Sequence, residues 1–520
     1  MNDVDRVAMF MNDEYSDVTL RVGDYIVNDY SDSTTITLAR PTKCCKVNIT
    51  AEKLPTTKTD NIPGTIEFWD VDGNYFRMSC VLNAQGSSSI DFQLKNISVD
   101  LDKEVKFGNW VSQDGFHLKA YYTDNFRGIT NIGYNWAEDL IKYTGIRANR
   151  FIETTDEDAL CHPDGFPIEL YFNGEYYSLY AWNLKKHRKN FSMNKKDYKS
   201  LIMDGKLDGN TFWGGNIDWT SFELKNPKTL VCMDGSEYNG NNPKELIDST
   251  SVFYDPKNKD HKNTATTKQI IIKLSKAIPQ IVNANTAEGK QIYEDTFDKD
   301  AMILYYIISQ VILHHDGFAK NWIWTVYDGG FAAPNIYDTD ATFGRTNEGS
   351  MAMTNFDNVI LSTGWTRPSD LLYHLYLNDI KQMYQDLRDA KKIDVDHIMS
   401  FFDSWTEAVG EEAYSRDRKA HPDIPSYRYD GLNRYYWMHM SVRDGGAPQW
   451  DNSVTYTVGS MVRFDRYQFI CVKENRNQPP LTVKYRYKPS WGGMYDTKER
   501  IREWLIRRIS FLDEQFGYSN

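Results

Sequence analysis

Polar residues within the segment 312–344 have the types and the spacing that phosphoryl transfer requires. Asp316 follows an apolar segment, Asn321 lies five residues later, and Asp338 and Asp340 end a later run of β-forming residues. One carboxylate can orient an attacking hydroxyl group, while an Asn and a second Asp hold the metal ions that neutralise phosphate charge. The segment therefore supplies a complete set of side chains for metal-assisted phosphoryl transfer.

The spacing of this segment also has a simpler interpretation. The interval from Asp316 to Asn321 equals that between the base and the metal-binding Asn of the protein-kinase catalytic loop, with His314 where that loop has its His. Single acidic residues cap helices and shape turns far more often than they catalyse reactions. On that alternative, Asp316 and Asn321 cap helices, while the later aspartates shape a turn.

Composition narrows the class of protein. The chain has 520 residues and is 41% hydrophobic, enough for a sizeable core. Its formal net charge of −12 argues against a protein that binds duplex nucleic acid, because phosphate contacts need a dense basic face. The aromatic share of 14% suits stacking on sugars as well as core packing. The six cysteines are too dispersed to predict a zinc site or a disulfide framework.

Targeting features are absent from the sequence pattern. The N-terminal residues are acidic where a signal peptide would be basic, and the longest apolar stretch, residues 301–313, is too short to span a bilayer. We therefore expect synthesis in the cytosol and no membrane span. Export without a signal peptide, or incorporation into a virion or surface assembly, remains open.

The hydrophobic pattern changes along the chain. Short alternating segments predict strands from residue 15 to residue 97, and Asn173-Gly174 predicts a hairpin turn. Periodic apolar residues between 132 and 141 mark a predicted helix, and Gly145 is predicted to end it. A hairpin is predicted around residues 328–330. Helices are predicted over 371–387, 395–409 and 432–440. The chain is thus predicted to pass from a β-rich half to an α-rich half.

A small-residue turn in the N-terminal half could bind an anion. Gly86, Ser87 and Ser88 precede a predicted strand that carries Lys95. Backbone N–H groups of such a turn can approach a phosphate, and a lysine can reach the same anion. Glu138 lies on the predicted helix, where a Glu can pair with a nucleotide-binding lysine. A Ser-rich hairpin turn with a solvated lysine is the more common structure, and a solvated helix face explains Glu138 equally well.

Several stretches, in the same order, resemble one protein family. QGSSSIDFQLKNISVDL resembles the small-residue turn and lysine-bearing strand of CotH-type spore-coat kinases, and HLKAYYTDNFRGITN is similar to the segment that follows. FPIELYFNGEYYSLY resembles their central hairpin, while HHDGFAKN and YDTDATFG resemble their catalytic and metal-binding pair. RIREWLIRRISFLDEQFG is similar to their terminal helix. The resemblance covers roughly residues 78–517.

The resemblance implies roles for individual residues. Asp316 corresponds to the catalytic aspartate and Lys95 to the phosphate-contacting lysine. Asn321 and Asp338 correspond to metal ligands, with Asp340 as an accessory acid. The implied cofactors are ATP and Mg²⁺ or Mn²⁺, and the turn residues named above and Glu138 would contact or support the nucleotide.

The sequence departs from the family pattern at three positions. Gln85 replaces the usual Arg of the turn, Leu94 replaces one of two basic residues, and Ser178 replaces a Gly of the hairpin. The missing positive charges would have faced phosphates, so nucleotide affinity is affected more than the fold.

The resemblance implies an α+β, two-lobed protein-kinase-like fold with a small β insert. The predicted regions are an N-terminal β-rich region (1–77), an N-lobe (78–200), a C-lobe with connecting segment (201–446), an insert (447–493) and a terminal helix (494–520). The insert resembles chitin- and cellulose-type carbohydrate-binding modules, and its candidate sugar-binding residues are Trp450, Tyr467 and Trp491. These aromatics could equally form the core of a very small domain.

Two functions from different classes follow from the sequence. The first is a CotH-like, ATP- and metal-dependent kinase that phosphorylates a protein hydroxyl and carries a sugar-binding-type insert. The second is a catalytically weak or inactive structural or adhesion protein, on a phage particle or cell surface, that binds carbohydrate. The partners would be a protein substrate or particle subunits and a polysaccharide. A glycosidase fits less well, since the acidic pairs have no carboxylate partner at an identifiable distance.

Overall fold

The strands of the N-terminal half are long and closely spaced. The computed structural model describes residues 21–22, 25–26, 35–86, 88–152, 158–205, 210–239, 244–345, 356–361, 367–421, 437–439, 446–464, 467–471, 473–480 and 498–519. The strands of this half are β1 (Arg21–Val22), β2 (Tyr25–Ile26), β3 (Thr35–Leu38), β4 (Cys45–Ala51), β5 (Ile62–Trp69), β6 (Tyr75–Gln85), β7 (Asn96–Phe107), β8 (Gln113–Lys119), β9 (Gly165–Phe172) and β10 (Glu175–Leu184). The predicted strand-rich region is therefore confirmed over its described residues.

Strands β4 to β10 form a closed barrel of seven strands. Around the barrel the order is β7, β6, β5, β4, β9, β10 and β8, and β8 pairs with β7 to close the ring. The pairing of β4 with β9 is parallel, and the other pairings in the ring are antiparallel. Strand β3 lies outside the ring and pairs in parallel with the second part of β7.

Strand β7 changes partners along its length and contains an irregularity. Residues 96–101 of this strand pair with β6, and residues 97–100 pair with β8. The register with β8 then shifts between Asp100 and Val105, and residues 104–107 pair with β3. An irregularity of this kind bends a strand and increases its twist. The first part of β7 therefore pairs with β6 and β8, while the second part pairs with β3 and, at Val105, still with β8.

The predicted two-lobed kinase-like fold is wrong. The structure has a closed seven-stranded barrel combined with many helices, and this architecture points to a different α/β fold. Alternation along a sequence predicts which segments are strands and which of their faces is buried. It does not predict which distant strands pair, so the contact between β7 and β8 that closes the ring could not be read from the pattern.

Strand β10 separates the barrel core from the helical core. Its residues are buried on both faces from Ser178 to Leu184. Tyr180 and Trp182 pack in the barrel with rings such as Phe166, which stacks on Trp182 at a centroid distance of 6.4 Å. Leu179 and Ala181 point the other way and belong to the helical core. Burial on both faces explains the continuous apolar run of this strand.

Helices and a second sheet pack on the outer side of strand β10. The helices are α1 (Ile129–Thr144), α2 (Asn210–Trp213), α3 (Lys259–Asn283), α4 (Thr286–Glu294), α5 (Lys299–Ile312), α6 (Asp316–Ala319), α7 (Pro368–Asp389), α8 (Val395–Val409), α9 (Glu411–Ala420) and α10 (Lys498–Phe516). The sheet contains β11 (Leu201–Gly205), β12 (Phe222–Asn226), β13 (Ile323–Val326) and β14 (Ala332–Asn335) in the order β12-β11-β13-β14. Within the described residues, none of the helices has the length and apolar character needed to cross a membrane.

Several local predictions are confirmed. Helix α1 ends at Gly145, whose φ of 70° is left-handed and whose N–H donates to the Ile141 carbonyl at 2.9 Å. The turn between β9 and β10 is Asn173-Gly174, with φ of 50° and 87°. The hairpin of β13 and β14 surrounds residues 328–330 as predicted.

A small sheet lies between α9 and α10 in the chain. It contains β15 (Trp437–His439), β17 (Met461–Phe464) and β18 (Tyr467–Cys471), while β16 (Thr455–Tyr456) pairs with β19 (Asn475–Arg476). The predicted helix over 432–440 is wrong at residues 437–439, and its other residues lie outside the described ranges. Trp437 is buried against Tyr456 at a ring distance of 5.0 Å, so packing in this small core favours a strand.

A buried ion pair joins helix α9 to the barrel and to the segment before α1. Arg127 Nη2 lies 3.0 Å from Asp417 Oδ2, and both side chains are 0% exposed. Asp417 Oδ1 also accepts hydrogen bonds from Ser178 Oγ at 2.7 Å and from the Leu179 N–H at 2.8 Å. Arg127 donates to the Ala120 carbonyl at 2.9 Å. The pair is therefore fully hydrogen-bonded, as a buried charge must be.

We expect Asp417→Ala to lower the free energy of unfolding by about 3–5 kcal/mol, because it leaves the Arg127 guanidinium buried without its counter-ion. The measurement is urea unfolding followed by far-UV circular dichroism. Glu412→Ala on the same helix is the control: its side chain is 86% exposed and pairs with Arg416, so the expected loss is below about 1 kcal/mol. Equal losses for the two variants would contradict the importance of the buried pair.

Candidate active site

The end of helix α5 positions the first part of the site. Leu313 has a left-handed φ of 55°, which stops the helix and redirects the chain before Asp316. The Asp316 carbonyl accepts hydrogen bonds from the N–H groups of Lys320 at 2.9 Å and Asn321 at 2.7 Å. Asn321 Nδ2 lies 3.3 Å from Asp316 Oδ2. The short helix α6 therefore brings the catalytic candidate and its predicted metal-binding Asn into contact.

His314 connects this turn to the residues that follow β14. Its ring is buried, and Nε2 lies 2.9 Å from the Tyr337 carbonyl oxygen. Burial lowers the pKa of His314 to about 4. The ring is therefore neutral at pH 7, and Nε2–H donates to the carbonyl. His314 thus fixes the backbone just before Asp338.

Residues 338–340, which we call the acidic strap, lie on helix α1. Asp338 has a left-handed φ of 50°, and its N–H donates to Tyr134 Oη at 2.8 Å. Thr339 Oγ1 donates to the Thr130 carbonyl at 3.1 Å. A Cβ atom on Gly133 would lie 2.6 Å from Thr339 Oγ1, so only glycine permits this approach. Helix α1 is therefore the platform for both acids of the strap.

Three carboxylates influence one another in the site. Burial, the charge of Asp338 and the charge of Asp316 raise the pKa of Asp340 well above its usual value, against the opposing effect of Arg345 and Lys119. Burial and the two neighbouring carboxylates therefore disfavour the ionised form of Asp340. A bound cation would relieve this repulsion, since an opposite charge favours the ionised carboxylate.

Lys119 is the lysine that the structure brings to the acidic strap, and the sequence analysis did not identify it. It ends strand β8, and its Nζ donates to Gln85 Oε1 at 2.6 Å. Burial lowers the pKa of Lys119, while the nearby carboxylates of Asp338 and Asp340 raise it. The available signal was strand alternation: Leu118 points into the barrel core, so Lys119 must lie on the opposite face.

The predicted nucleotide-binding residues lie in other arrangements. Lys95 precedes β7, and its Nζ donates to the Ile90 carbonyl at 2.9 Å and the Phe92 carbonyl at 3.0 Å, so its ammonium group stabilises the turn. Gly86 has a φ of 123° that favours glycine. Ser87 lies outside the described residues. Ser88 begins a 3₁₀ turn over Ser88–Asp91, and its side chain is not described.

Glu138 forms ion pairs away from any lysine of the barrel. Its carboxylate lies 2.7 Å from Arg147 Nη2, 2.9 Å from His162 Nε2 and 3.5 Å from Lys142 Nζ. Burial alone would raise the pKa of Glu138, but hydrogen bonds and charges from His162 and Arg147 lower it to about 2. The carboxylate thus holds the end of α1 against the segment that enters β9.

The oxygen atoms of the acidic strap, together with that of Asn321, are of the kind that binds a hard cation. Carboxylate and amide oxygens of Asp338, Asp340 and Asn321 are the ligand types that Mg²⁺ and Mn²⁺ take. In the described ranges, no three His, Cys, Asp or Glu side chains form a ready-made metal site. Mg²⁺ is usually held by one or two carboxylates together with substrate phosphates, so the residues fit an ion that arrives with a nucleotide.

The candidate sugar-binding residues are only partly described. Trp450 is half-buried and packs edge-on against Phe464 at 5.6 Å, so it contributes to the small core that contains Trp437. Tyr467 begins β18, but its side chain is not described. Trp491 lies outside the described residues.

Comparison with known protein families and curated sequences does not assign the chain to a family. No protein-family model matches the chain, and no curated protein sequence is significantly similar to it. The resemblance to CotH-type kinases therefore depends on the motifs quoted above, and the site must be interpreted from its own geometry.

Gly133→Ala should displace the acidic strap. The new methyl group would overlap Thr339 Oγ1, and we expect a loss of about 1–3 kcal/mol in the free energy of unfolding. Gly289→Ala on helix α4 is the matched control, because its nearest heavy atoms would be 3.5 Å away. There we expect no loss or a gain of up to about 1 kcal/mol, from the higher helix propensity of Ala. Chemical denaturation measures both, and equal effects would contradict the close approach.

We expect the neutral state of His314 to make stability depend on pH. The unfolded chain takes up a proton at about pH 6.5, whereas the folded ring does so only near pH 4. Stability is therefore complete above about pH 6.5 and falls as the pH decreases towards 4, by up to about 3 kcal/mol. The direct measurement is the ring resonance of His314 in NMR spectra, assigned with His314→Gln. A midpoint at or above pH 6 would contradict the buried, neutral ring.

Proposed function

We propose that this protein transfers a phosphoryl group from ATP to a protein hydroxyl group with the help of Mg²⁺ or Mn²⁺. The observation that carries the proposal is the placement of Lys119 beside Asp338 and Asp340, next to the hydrogen-bonded pair Asp316 and Asn321. Phosphoryl transfer needs little covalent chemistry from a protein, and it depends on positioned charges of this kind. The proposal rests on the site and does not depend on the architecture first predicted.

Each side chain has a distinct role in this proposal. Asp316 accepts a hydrogen bond from the acceptor hydroxyl and orients it, while Asn321 holds the Asp316 carboxylate. Lys119 contacts phosphate oxygens, the role that the resemblance gave to Lys95. Asp338 and Asn321 would hold the metal, with Asp340 beside them. When bound, the ion would neutralise charge on the phosphates.

The immediate surroundings support the same proposal. Tyr121 Oη accepts a hydrogen bond from Asn183 Nδ2 at 2.9 Å, and the charge of Asp338 is among the causes that raise the pKa of this tyrosine after burial. Lys186 lies over the Tyr337 ring at 3.8 Å from its centroid. Polar groups of the barrel therefore face the acidic strap, and they bound a site in which phosphates and carboxylates could share one cation.

A second candidate is an inactive or weakly active scaffold that binds carbohydrate on a particle or cell surface. The observation that favours it is Gln85, which stands where the resembling family has an Arg and accepts a hydrogen bond from Lys119. This position contributes no positive charge to bind phosphates. The following experiment distinguishes the two functions.

Lys119→Met should weaken binding of ATP with Mg²⁺ about tenfold or more, since it removes a charge-assisted contact to phosphate. Lys199→Met is the control, because Lys199 is exposed and pairs with Asp328 on a hairpin turn. Asp316→Asn should reduce turnover by about a hundredfold or more and leave nucleotide affinity within about twofold. Isothermal titration and transfer of labelled phosphate measure these effects. Absence of binding to the wild-type protein at millimolar ATP would favour the scaffold.

A further inference from the structure

Basic side chains cluster next to the candidate active site, although the chain as a whole is acidic. The cluster, which we call the basic patch, comprises Lys185, Arg188, Lys189, Lys225 and Lys228. Lys185, Arg188 and Lys189 follow strand β10. Lys225 lies in β12, and Lys228 follows the end of that strand. Burial lowers the pKa of Lys228, and the charges of Lys225, Arg188 and Lys185 lower it further, while the charge of Asp100 opposes this shift. Cations from two separate segments are therefore close enough to repel one another.

The charges of the basic patch are only partly balanced. Lys185 pairs with Asp100, Lys189 with Glu104 and Lys225 with Glu223. Of the residues that the structure describes, none forms an ion pair with Arg188 or Lys228.

Arg188 donates from Nη1 to His187 Nε2 at 2.8 Å. Burial and the charges of Arg188, Lys189 and Lys228 lower the pKa of His187 to about 4, against the opposing charge of Asp114. The ring is thus neutral and offers no negative charge. Arg188 and Lys228 consequently keep positive charge available to an incoming anion.

The basic patch is continuous with the acidic strap. Lys186 pairs with Asp204 and covers the Tyr337 ring, one residue before Asp338. His117 lies on the same face of β8 as Lys119. Burial, followed by the charges of Lys119, Lys185 and Lys186, lowers the pKa of His117. A ligand could therefore contact the patch and the strap at the same time.

A hollow beside the patch provides space for a ligand. Its volume is about 450 Å³, and its lining includes Lys225, Lys228, Tyr238 and one acid, Glu237. Tyr238 is buried and its hydroxyl accepts a hydrogen bond from the Leu224 N–H at 3.2 Å, so this wall is fixed. The hollow could receive an extended peptide side chain that bears a carboxylate.

We infer that the basic patch binds the acceptor, and that this acceptor is a protein segment rich in Asp and Glu. Its carboxylates contact Arg188 and Lys228 while its hydroxyl group reaches Asp316. The inference rests on the proposed phosphoryl transfer, and it adds the substrate class. Nucleic acid fits less well, because its binding depends on many phosphate contacts, and three of the five cations in the patch already have counter-ions.

The test measures peptide binding without nucleotide. Fluorescent peptides of about 12 residues carry one Ser flanked by Glu, by Gln or by Lys. We expect the Glu peptide to bind the wild-type protein about tenfold or more tightly than the Gln peptide, and salt to reduce this preference. The double variant Arg188→Gln with Lys228→Gln should lose most of it. The matched control, Lys391→Gln with Arg502→Gln, makes the same charge change on the helical part and should retain it.

Three results would overturn the inference. They are equal binding of the Glu and Gln peptides, full affinity in the double variant, or tighter binding of a single-stranded oligonucleotide of equal charge. Circular dichroism checks that the double variant is folded, and the comparison of peptides on the wild-type protein needs no variant. Failure of the proposed function has a different result: the Glu peptide still binds selectively, but ATP with Mg²⁺ gives no phosphorylated Ser.

Discussion

The buried contact between Arg127 and Asp417 is the interaction on which the candidate site depends. It fixes helix α9 against strand β10, and it holds Arg127 at a left-handed φ of 56° just before helix α1 begins. Such a backbone conformation persists only where its surroundings impose it. Asp124 then accepts hydrogen bonds from the N–H groups of Gly128 at 2.7 Å and Ile129 at 2.6 Å. The position of α1 is thus set from the barrel side.

Helix α1 in turn positions the acidic strap. The strap is attached to the first half of this helix through Tyr134 and Thr130, and the chain after the strap returns to the segment before the helix. Arg345 is buried, donates to the Thr123 carbonyl at 2.8 Å and lies 3.8 Å from Asp124. Both ends of the strap are therefore anchored to the segment that Arg127 organises. Mutually repelling carboxylates can be held together only by such external constraints.

Local features of the fold and site were predictable from the sequence, but long-range ones were not. The turn at Asn173-Gly174 and the contact between Asp316 and Asn321 follow from neighbours in the chain, and the structure shows both. Barrel closure depends on the pairing of β7 with β8, which alternation does not reveal. The presence of Lys119, and not Lys95, beside the acidic strap is also a long-range feature. Lys95 bonds to carbonyls of its own turn, which only the folded backbone brings within reach.

The position of Lys119 also bears on how the proposed site would receive phosphates beside its acids. A lysine among carboxylates would normally be neutralised by them, yet Lys119 donates to the neutral oxygen of Gln85, while burial opposes its charged state. Its charge therefore lies between a neutral acceptor on one side and Asp338 with Asp340 on the other. On the proposed function, a phosphate that entered this position would gain a cation whose described hydrogen bond is to Gln85. Gln85 consequently acts as a positioning residue for Lys119, in a place where an Arg would repel it.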